Sequence, residues 1–200
     1  MVYQIFGIVI LLAFYLCYFV KMIAQKRKGV TTDQMGKGKA GTAKVIEIVM
    51  KIATYLVPPV EVICIVFGTT VFPDGIRILG ICIGIAGVVT FMISVLTMRD
   101  NWRAGVSVTE QTNLVTNGIY QISRNPAFLG FDLVYISILL MFFHWALFVV
   151  SVFAITMLHL QIVIVEEKFL IASFGDEYLE YKKKVFRYIG RKSLSMKKPR

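Results

Sequence analysis

Five long apolar segments constrain this chain more than any other feature, because a helix that crosses a bilayer needs about 20 mostly apolar residues. They occupy residues 2–20, 45–72, 76–98, 128–143 and 145–165. The chain has 200 residues, of which 57% are hydrophobic and 17% are charged. A soluble domain of this length does not carry so much apolar sequence. The sequence therefore predicts an all-α polytopic membrane protein with about five transmembrane helices.

The last two apolar segments are separated by a single residue, His144. They predict a tight helical hairpin over residues 128–165, whose first arm is short enough to be tilted or only partly spanning. Residues 1–98 then form an N-terminal three-helix membrane region, and residues 99–200 contain the hairpin and a C-terminal segment. Within the third apolar segment, Gly80, Gly84 and Gly87 lie on adjoining helix faces and predict close packing against another helix.

The basic residues are concentrated in three alternating connections. Residues 21–44, 99–125 and 166–200 together hold 20 of the 22 Lys and Arg residues. Cytoplasmic connections carry the excess of Lys and Arg in membrane proteins. The pattern predicts an N-terminus outside and a C-terminus in the cytoplasm. The net charge of +10 also favours contact with anionic lipids and is no sign of nucleic-acid binding, because no soluble binding domain is present in the sequence.

Polar side chains gather on both sides of the predicted hairpin, where apolar spans meet water. Such groups are costly near hydrocarbon, so they should pair with each other or with a ligand. The connections on both sides carry basic charge, so the pattern predicts a site at the cytoplasmic face. The residues before the hairpin are Gly118, Tyr120, Arg124, Asn125 and Pro126, and those after it are Glu166, Glu167, Tyr178, Tyr181 and Arg187.

The second arm of the hairpin carries a His and a Glu at helical spacing. His159 precedes Glu166 by almost two helical turns, so the two side chains are predicted to share a face. The adjacent carboxylates of Glu166 and Glu167 repel each other unless cations or hydrogen-bond donors neutralise them. Ion pairing with Arg124 or Arg187 is a structural alternative to a ligand-binding role for either Glu.

The segment from residue 166 to residue 187 alternates apolar and charged residues at helical spacing. It predicts one or two amphipathic helices, interrupted near Gly175, on the membrane surface. This is the predicted cytosolic C-terminal amphipathic helical segment.

At these residues the chain resembles the integral-membrane methyltransferases that include isoprenylcysteine carboxyl methyltransferases and phospholipid methyltransferases. The signature of that family is a Gly-x-Tyr-x-x-x-Arg-His-Pro-x-Tyr-x-Gly run, an apolar hairpin, a Glu-Glu pair and a Phe-Gly-x-x-Tyr-x-x-Tyr-x-x-x-Val-x-Arg stretch. The resemblance covers about residues 99–190. The chain departs from the signature at three positions, with Asn125 in place of His, Phe128 in place of Tyr and Gly190 in place of the Pro that follows the final Arg.

The resemblance implies a methyltransferase that uses S-adenosylmethionine on a lipophilic acceptor, such as a prenylcysteine-type carboxylate or a lipid-like small molecule. Methyl transfer of this kind needs no metal, and no cluster of His and Cys indicates one. The catalytic residues that it implies are Arg187, Glu167 and Arg103, within a catalytic region of residues 99–200. The cofactor-binding residues that it implies are Tyr120, Arg124, Asn125, Pro126, His159, Glu166, Glu167, Tyr178 and Tyr181.

Two alternatives remain open from the sequence. Sterol-type membrane reductases share the Tyr-x-x-x-Arg-His-Pro region and use NADPH, but their pattern has Glu after the glycine and lacks the Glu-Glu pair. This chain has Phe131-Asp132 there and does have the pair. The other alternative is a non-catalytic membrane protein of the same fold, which the Asn125 departure favours because Asn does not titrate as His does.

Overall fold

The structure is a computed structural model that describes residues 1–68, 70–106 and 113–191. Among these residues, four helices are long and apolar enough to cross a membrane, and one further apolar helix is shorter. The prediction of an all-helical membrane protein with about five membrane helices is therefore confirmed. Residues 192–200 of the predicted C-terminal segment lie outside the described part. The helices are α1 (Val2–Arg27), α2 (Gly41–Phe67), α3 (Asp74–Met98), α4 (Pro126–Met141), α5 (Trp145–Leu160) and α6 (Glu167–Lys184).

Several helix boundaries differ from the apolar segments of the sequence, among them the ends of α1 and α2. Helix α1 runs seven residues beyond the predicted end at residue 20, because a helix continues past its apolar stretch wherever its polar side chains find partners or water. Helix α2 ends at Phe67 because Gly68 adopts a left-handed conformation with φ 64°, a common way of terminating a helix. Pro58 and Pro59 lie within α2, which continues through them.

Helix α3 packs closely against α4 through its three glycines, as predicted. A Cβ atom added to Gly80 or Gly87 would lie 3.0 or 3.1 Å from a backbone carbonyl oxygen of α4. One added to Gly84 would lie 2.4 Å from Ser137 Oγ and 2.7 Å from Ile10 Cδ1. The glycines therefore let the α3 and α4 backbones approach each other.

We expect Gly84→Ala to destabilise the protein by about 1–3 kcal/mol, because the added methyl group overpacks the contact with Ser137 and Ile10. Gly75→Ala is the matched control on the same helix, since a Cβ there meets no atom within 4 Å. Thermal unfolding of both variants in detergent should show a lower Tm for Gly84→Ala alone. Equal Tm values for the two variants would mean that the α3–α4 contact is looser than the structure indicates.

One end of the bundle, which we call the pocket end, gathers the three basic connections. The segment after α1 pairs there with the segment after α3, since Ala104 N donates to Thr32 O over 2.9 Å and Gln34 N donates to Ala104 O over 2.9 Å. Gln25 of α1 adds a buried bond of 2.8 Å from Nε2 to Trp102 O. The beginnings of α2 and α4 and all of α6 also lie at this end.

At the opposite end of the bundle, Arg77 of α3 fixes the end of the short helix α4. Its Nε donates to Met141 O over 3.1 Å, and its guanidinium lies 3.7 Å from the centre of the Tyr3 ring. The Met141 carbonyl at the end of α4 therefore has a hydrogen-bond donor within the protein and does not depend on water.

Candidate active site

A π-helical turn ends at the first of the two adjacent glutamates that follow the hairpin. Residues Gln161–Glu166 form this turn between α5 and α6. A π turn is wider than an α turn and changes which side chains share a face, and such turns occur often at functional sites. Here Glu166 and Glu167 have different surroundings.

Glu167 is the centre of a cluster of three cations. Its Oε1 lies 3.1 Å from Arg124 Nη2 and accepts a 2.8 Å bond from Arg187 Nε, and its Oε2 accepts a 2.8 Å bond from Lys182 Nζ. The Glu167 side chain is 7% exposed. The hydrogen bond from Arg187 to Glu167 raises the pKa of the Arg187 guanidinium. The charge of Glu167 is thus compensated by protein groups. This is the ion pairing that the sequence left open as an alternative to a ligand-binding role.

Glu166 instead lines a pocket, which we call the polar pocket. It is bounded by the segment after α3, the turn Gly118–Gln121, the beginning of α4, and α6. Seven of the residues proposed from the sequence lie in its wall: Arg103, Tyr120, Arg124, Asn125, Glu166, Tyr178 and Tyr181. Apolar and aromatic side chains complete it, among them Met98, Trp102, Phe128, Phe169, Leu170 and Phe174. The structure therefore brings cations, an amide, a carboxylate and aromatic rings together around one space.

Three tyrosines form one side of the polar pocket. Gly175 has φ 50° within α6, and the residues after this kink place Tyr178 and Tyr181 against Tyr120. Tyr181 donates to Tyr120 O over 2.6 Å, and the Tyr178 hydroxyl accepts a 2.7 Å bond from Arg124 Nη1. Burial raises the pKa of Tyr120 above its ordinary value. Its hydroxyl stays protonated at neutral pH, so Tyr120 contributes a neutral ring and no base.

Asn125 lies in the pocket wall and also holds the segment that follows α6. Its Nδ2 donates to Arg187 O over 3.0 Å. Two backbone bonds support the same contact, from Arg124 N to Phe186 O over 3.1 Å and from Gly190 N to Ile122 O over 2.8 Å. The side chain therefore acts as a hydrogen-bond donor here, a task that does not need a titrating group.

We expect Asn125→His to preserve this contact, because an imidazole N–H can also donate to the Arg187 carbonyl. Asn125→Ala should lower stability by about 1–3 kcal/mol, since it leaves the Arg187 carbonyl with only a long bond of 3.5 Å from Ser123 Oγ. Limited proteolysis after Lys184 or Arg187, followed by mass spectrometry, should show faster cleavage in Asn125→Ala alone. Equal rates in all three proteins would show that the amide is not needed to hold this segment.

Four of the residues proposed from the sequence do not belong to the wall of the polar pocket among the described residues. Glu167 and Arg187 pair beside it, and Pro126 is the first residue of α4. His159 has its Nδ1 2.7 Å from the Tyr188 hydroxyl, with the two rings stacked at 5.9 Å. The π turn Gln161–Glu166 follows His159, so the spacing of a continuous α-helix does not describe how these two side chains are related.

Sequence reasoning missed a charged pair that stands behind Glu166. Lys39 forms a buried ion pair with Glu47, and Gln161 Nε2 donates to Glu47 Oε1 over 3.0 Å. The sequence does show an acidic residue, Glu47, at the beginning of the second apolar segment and close to a basic connection, which could have indicated an ion pair. Its partner Gln161 is 114 residues away along the chain, so spacing alone does not reveal it.

A second, mostly apolar space adjoins the polar pocket, and we call it the apolar pocket. It extends between α1, α2, α4 and α5 and is lined by side chains that include Tyr18, Met35, Met50, Phe131 and Leu158. The two pockets share five wall residues, which are Trp102, Arg103, Gly105, Ala127 and Phe128. Arg103 therefore lies at the junction of a polar space and an apolar one. Its Nη1 donates to the carbonyls of Asp100 and Trp102, which orients the guanidinium there.

No group of His, Cys, Asp and Glu side chains that could hold a metal ion occurs within residues 1–68, 70–106 and 113–191. The ionisable groups of the site are instead arranged as ion pairs and as a half-buried carboxylate. Such an arrangement suits a ligand that itself carries both positive and negative charge.

The fold and the two pockets define an integral membrane protein of five apolar helices with a pocket lined by ionisable side chains at one end of its bundle. The model of the phospholipid methyltransferase family matches residues 76–177, about half of the chain. The chain belongs to this family. It is also similar to protein-S-isoprenylcysteine O-methyltransferase of Saccharomyces cerevisiae (strain ATCC 204508 / S288c), with 33% identity over 110 residues. The match covers 54% of this chain and 46% of the yeast protein, so the chain spans about half the length of this relative.

Proposed function

We propose that this protein is a membrane-embedded methyltransferase that uses S-adenosylmethionine to methylate a lipophilic acceptor. The observation that carries the proposal is the junction of the two pockets, where a charged, aromatic space meets an apolar one at Arg103. Membership in the phospholipid methyltransferase family supports the same chemistry. When bound, S-adenosylmethionine supplies a methyl group on a positively charged sulfur.

The groups in the polar pocket fit the amino-acid part of this cofactor. Glu166 offers a carboxylate for an ammonium group, and Arg124 offers a guanidinium for a carboxylate. The Arg124 Nε is buried with no hydrogen-bond partner, although its Nη1 and Nη2 are bonded to Tyr178 and Glu167. A buried unpaired donor is costly, which favours a ligand acceptor at this position. The Glu167 cluster then serves to hold Arg124 in place.

The rest of the wall offers neutral surfaces to the remainder of the cofactor. Tyr120, Tyr178 and Tyr181 provide ring faces and edges, on which flat or cationic groups pack favourably. Asn125 supplies an amide at the beginning of α4. Because methyl transfer by displacement depends mainly on alignment of donor and acceptor, these contacts act by positioning.

The apolar pocket is the proposed site of the acceptor's hydrocarbon part. Met35, Met50, Phe131 and Leu158 line it with flexible or flat apolar side chains. Arg103 at the junction would hold an acceptor carboxylate next to the polar pocket. A carboxylate is already nucleophilic and needs no base, in keeping with the absence of a titrating His in the described wall. The name of the yeast relative, an O-methyltransferase of isoprenylcysteine, favours such an acceptor over an amine.

We also propose that the pocket end faces the cytoplasm. The three basic connections meet at this end of the bundle, and such connections are retained on the cytoplasmic side of membranes. The N-terminus then lies outside. A soluble cofactor would enter from the cytoplasm, and a lipophilic acceptor would enter from the bilayer. The catalytic groups come from residues 99–187, while helices α1 and α2 complete the apolar pocket.

Isothermal titration of the purified protein with S-adenosylhomocysteine tests the proposal, and NADPH is the comparison ligand. We expect heat of binding with S-adenosylhomocysteine alone. Binding of NADPH alone would favour the sterol-type reductase, and binding of neither ligand by a folded protein would favour the non-catalytic alternative. Incubation of membranes with methyl-labelled S-adenosylmethionine, followed by mass spectrometry of lipids and prenylated peptides, then identifies the acceptor.

A further inference from the structure

Glu47, near the beginning of α2, makes polar contacts with separate parts of the chain, among them the segment before α2 and the π turn. It forms the buried ion pair with Lys39, and its Oε2 accepts a 2.7 Å bond from Gly36 N. Its Oε1 accepts a 3.0 Å bond from Gln161 Nε2. The Glu47 side chain is fully buried. A buried carboxylate with so many donors fixes the position of each of them.

These contacts extend to Glu166. Gln161 begins the π turn and Glu166 ends it, and the Gln161 amide also faces the Glu166 carboxylate. Both Glu47 and Lys39 lie within electrostatic range of Glu166, where Glu47 repels its charge and Lys39 attracts it. Lys39, Glu47, Gln161 and Glu166 therefore form a connected series that joins the segment before α2 to the polar pocket.

We propose that Glu47 and Lys39 are positioning residues that hold Glu166 and set its charge for the ligand, through Gln161 and through their own opposite charges. The inference rests on the proposed function, because it assumes that ionised Glu166 receives the ammonium group of the cofactor. It adds a role for the N-terminal half of the chain, which lies outside the Arg-Asn-Pro and Glu-Glu motifs.

Other charged and titratable groups share the polar pocket with Glu166. Two are tyrosines that are neutral at the pH of interest and interact with Glu166 electrostatically, and two are arginines of the pocket wall. They provide a constant background against which Lys39 and Glu47 can be varied. These groups are Tyr120 from the turn before α4, Tyr178 from α6, and Arg103 and Arg124 from the pocket wall.

The two members of the pair should have opposite effects on pH dependence. Acidification protonates Glu166 and weakens the binding of S-adenosylhomocysteine. Lys39→Gln removes the attracting cation, so Glu166 protonates more easily and the pH of half-maximal binding should rise by about one unit. Glu47→Gln removes the repelling charge and leaves Lys39, so the same midpoint should fall by a similar amount.

The experiment is isothermal titration of the full chain in detergent with S-adenosylhomocysteine between pH 4.5 and 8 (roughly the span in which shifted carboxyl groups titrate). Lys37→Gln is the matched control, because it makes the same charge change at an exposed position of the same segment and should leave the midpoint unchanged. Lys39→Arg keeps the charge and should retain the wild-type midpoint even if packing is altered.

The outcomes separate the two proposals. Opposite shifts in Lys39→Gln and Glu47→Gln support the positioning role. Shifts in the same direction, or lower affinity with no shift, overturn it and indicate that the pair merely stabilises the fold. If Glu47→Gln does not fold, the wild-type midpoint in Lys39→Gln is sufficient to overturn the inference. Failure of the wild-type protein to bind at any pH overturns the proposed function and this inference with it.

Discussion

Glu166→Gln is expected to weaken the binding of S-adenosylhomocysteine by about 10- to 100-fold. The amide keeps the size of the side chain but loses the negative charge that would receive the ligand's ammonium group. Hydrogen bonds to charged groups contribute about 1.5–3 kcal/mol, and each 1.4 kcal/mol corresponds to about tenfold in affinity. Isothermal titration at neutral pH measures the change directly.

A matched ligand makes this test specific for the ammonium contact. Methylthioadenosine carries the same nucleoside but lacks the amino-acid part, so its affinity should be equal in Glu166→Gln and in the wild-type protein. The Tm should change little, because Glu166 is half-buried and its neighbour Glu47 repels it. An equal loss for both ligands would show that the substitution distorts the pocket, and no loss for either would remove Glu166 from the site.

Glu167→Gln is expected to act on stability, in contrast to its neighbour. It would leave the buried guanidinium of Arg124, whose side chain is 6% exposed, without its anionic partner. Breaking a buried ion pair on one side costs roughly 3 kcal/mol or more. Thermal unfolding in detergent should therefore show a clearly lowered Tm for Glu167→Gln. Cofactor affinity should also fall, because Arg124 is displaced.

Glu180→Gln provides the control for Glu167→Gln on the same helix. Its carboxylate pairs with Lys183 at the surface, where the two side chains are 57% and 64% exposed. Surface pairs of this kind contribute about 0–1 kcal/mol, so the Tm should stay close to that of the wild type. A Tm for Glu167→Gln as high as that of Glu180→Gln would contradict the central place of Glu167 in the cation cluster.

The sequence predicts the helices well because hydropathy alone determines them in a membrane protein. Apolar length identified the five membrane segments, and the glycine spacing of α3 predicted close packing against another helix, which the structure shows to be α4. The ends of the helices are predicted less well from the sequence. Helix α1 continues to Arg27 because Gln25 finds a buried partner in Trp102 O, a contact made across 77 residues that no local pattern contains.

The sequence predicts which residues contribute to the candidate site but not the different surroundings of Glu166 and Glu167. Several motif residues from both sides of the hairpin do meet at one pocket, since a helical hairpin returns to the side from which it started. Spacing placed Glu166 beside His159, whereas the spacing of a continuous α-helix does not describe the π turn of Gln161–Glu166. Sequence alone does not reveal a π turn, because the wider turn depends on tertiary contacts such as that between Gln161 and Glu47.

The short helix α4 has a consequence for the surrounding membrane. Its 16 residues span about 24 Å, less than the roughly 30 Å of an average hydrocarbon layer. Arg77 holds one end of α4 at the far side of the bundle. The missing helix length is therefore at the other end, where Asn125 and Phe128 line the polar pocket. Hydrophobic mismatch of this kind is relieved by local thinning or tilt. The side chains of the polar pocket would then lie below the headgroup plane, and bilayer thickness would influence how readily the proposed acceptor reaches them.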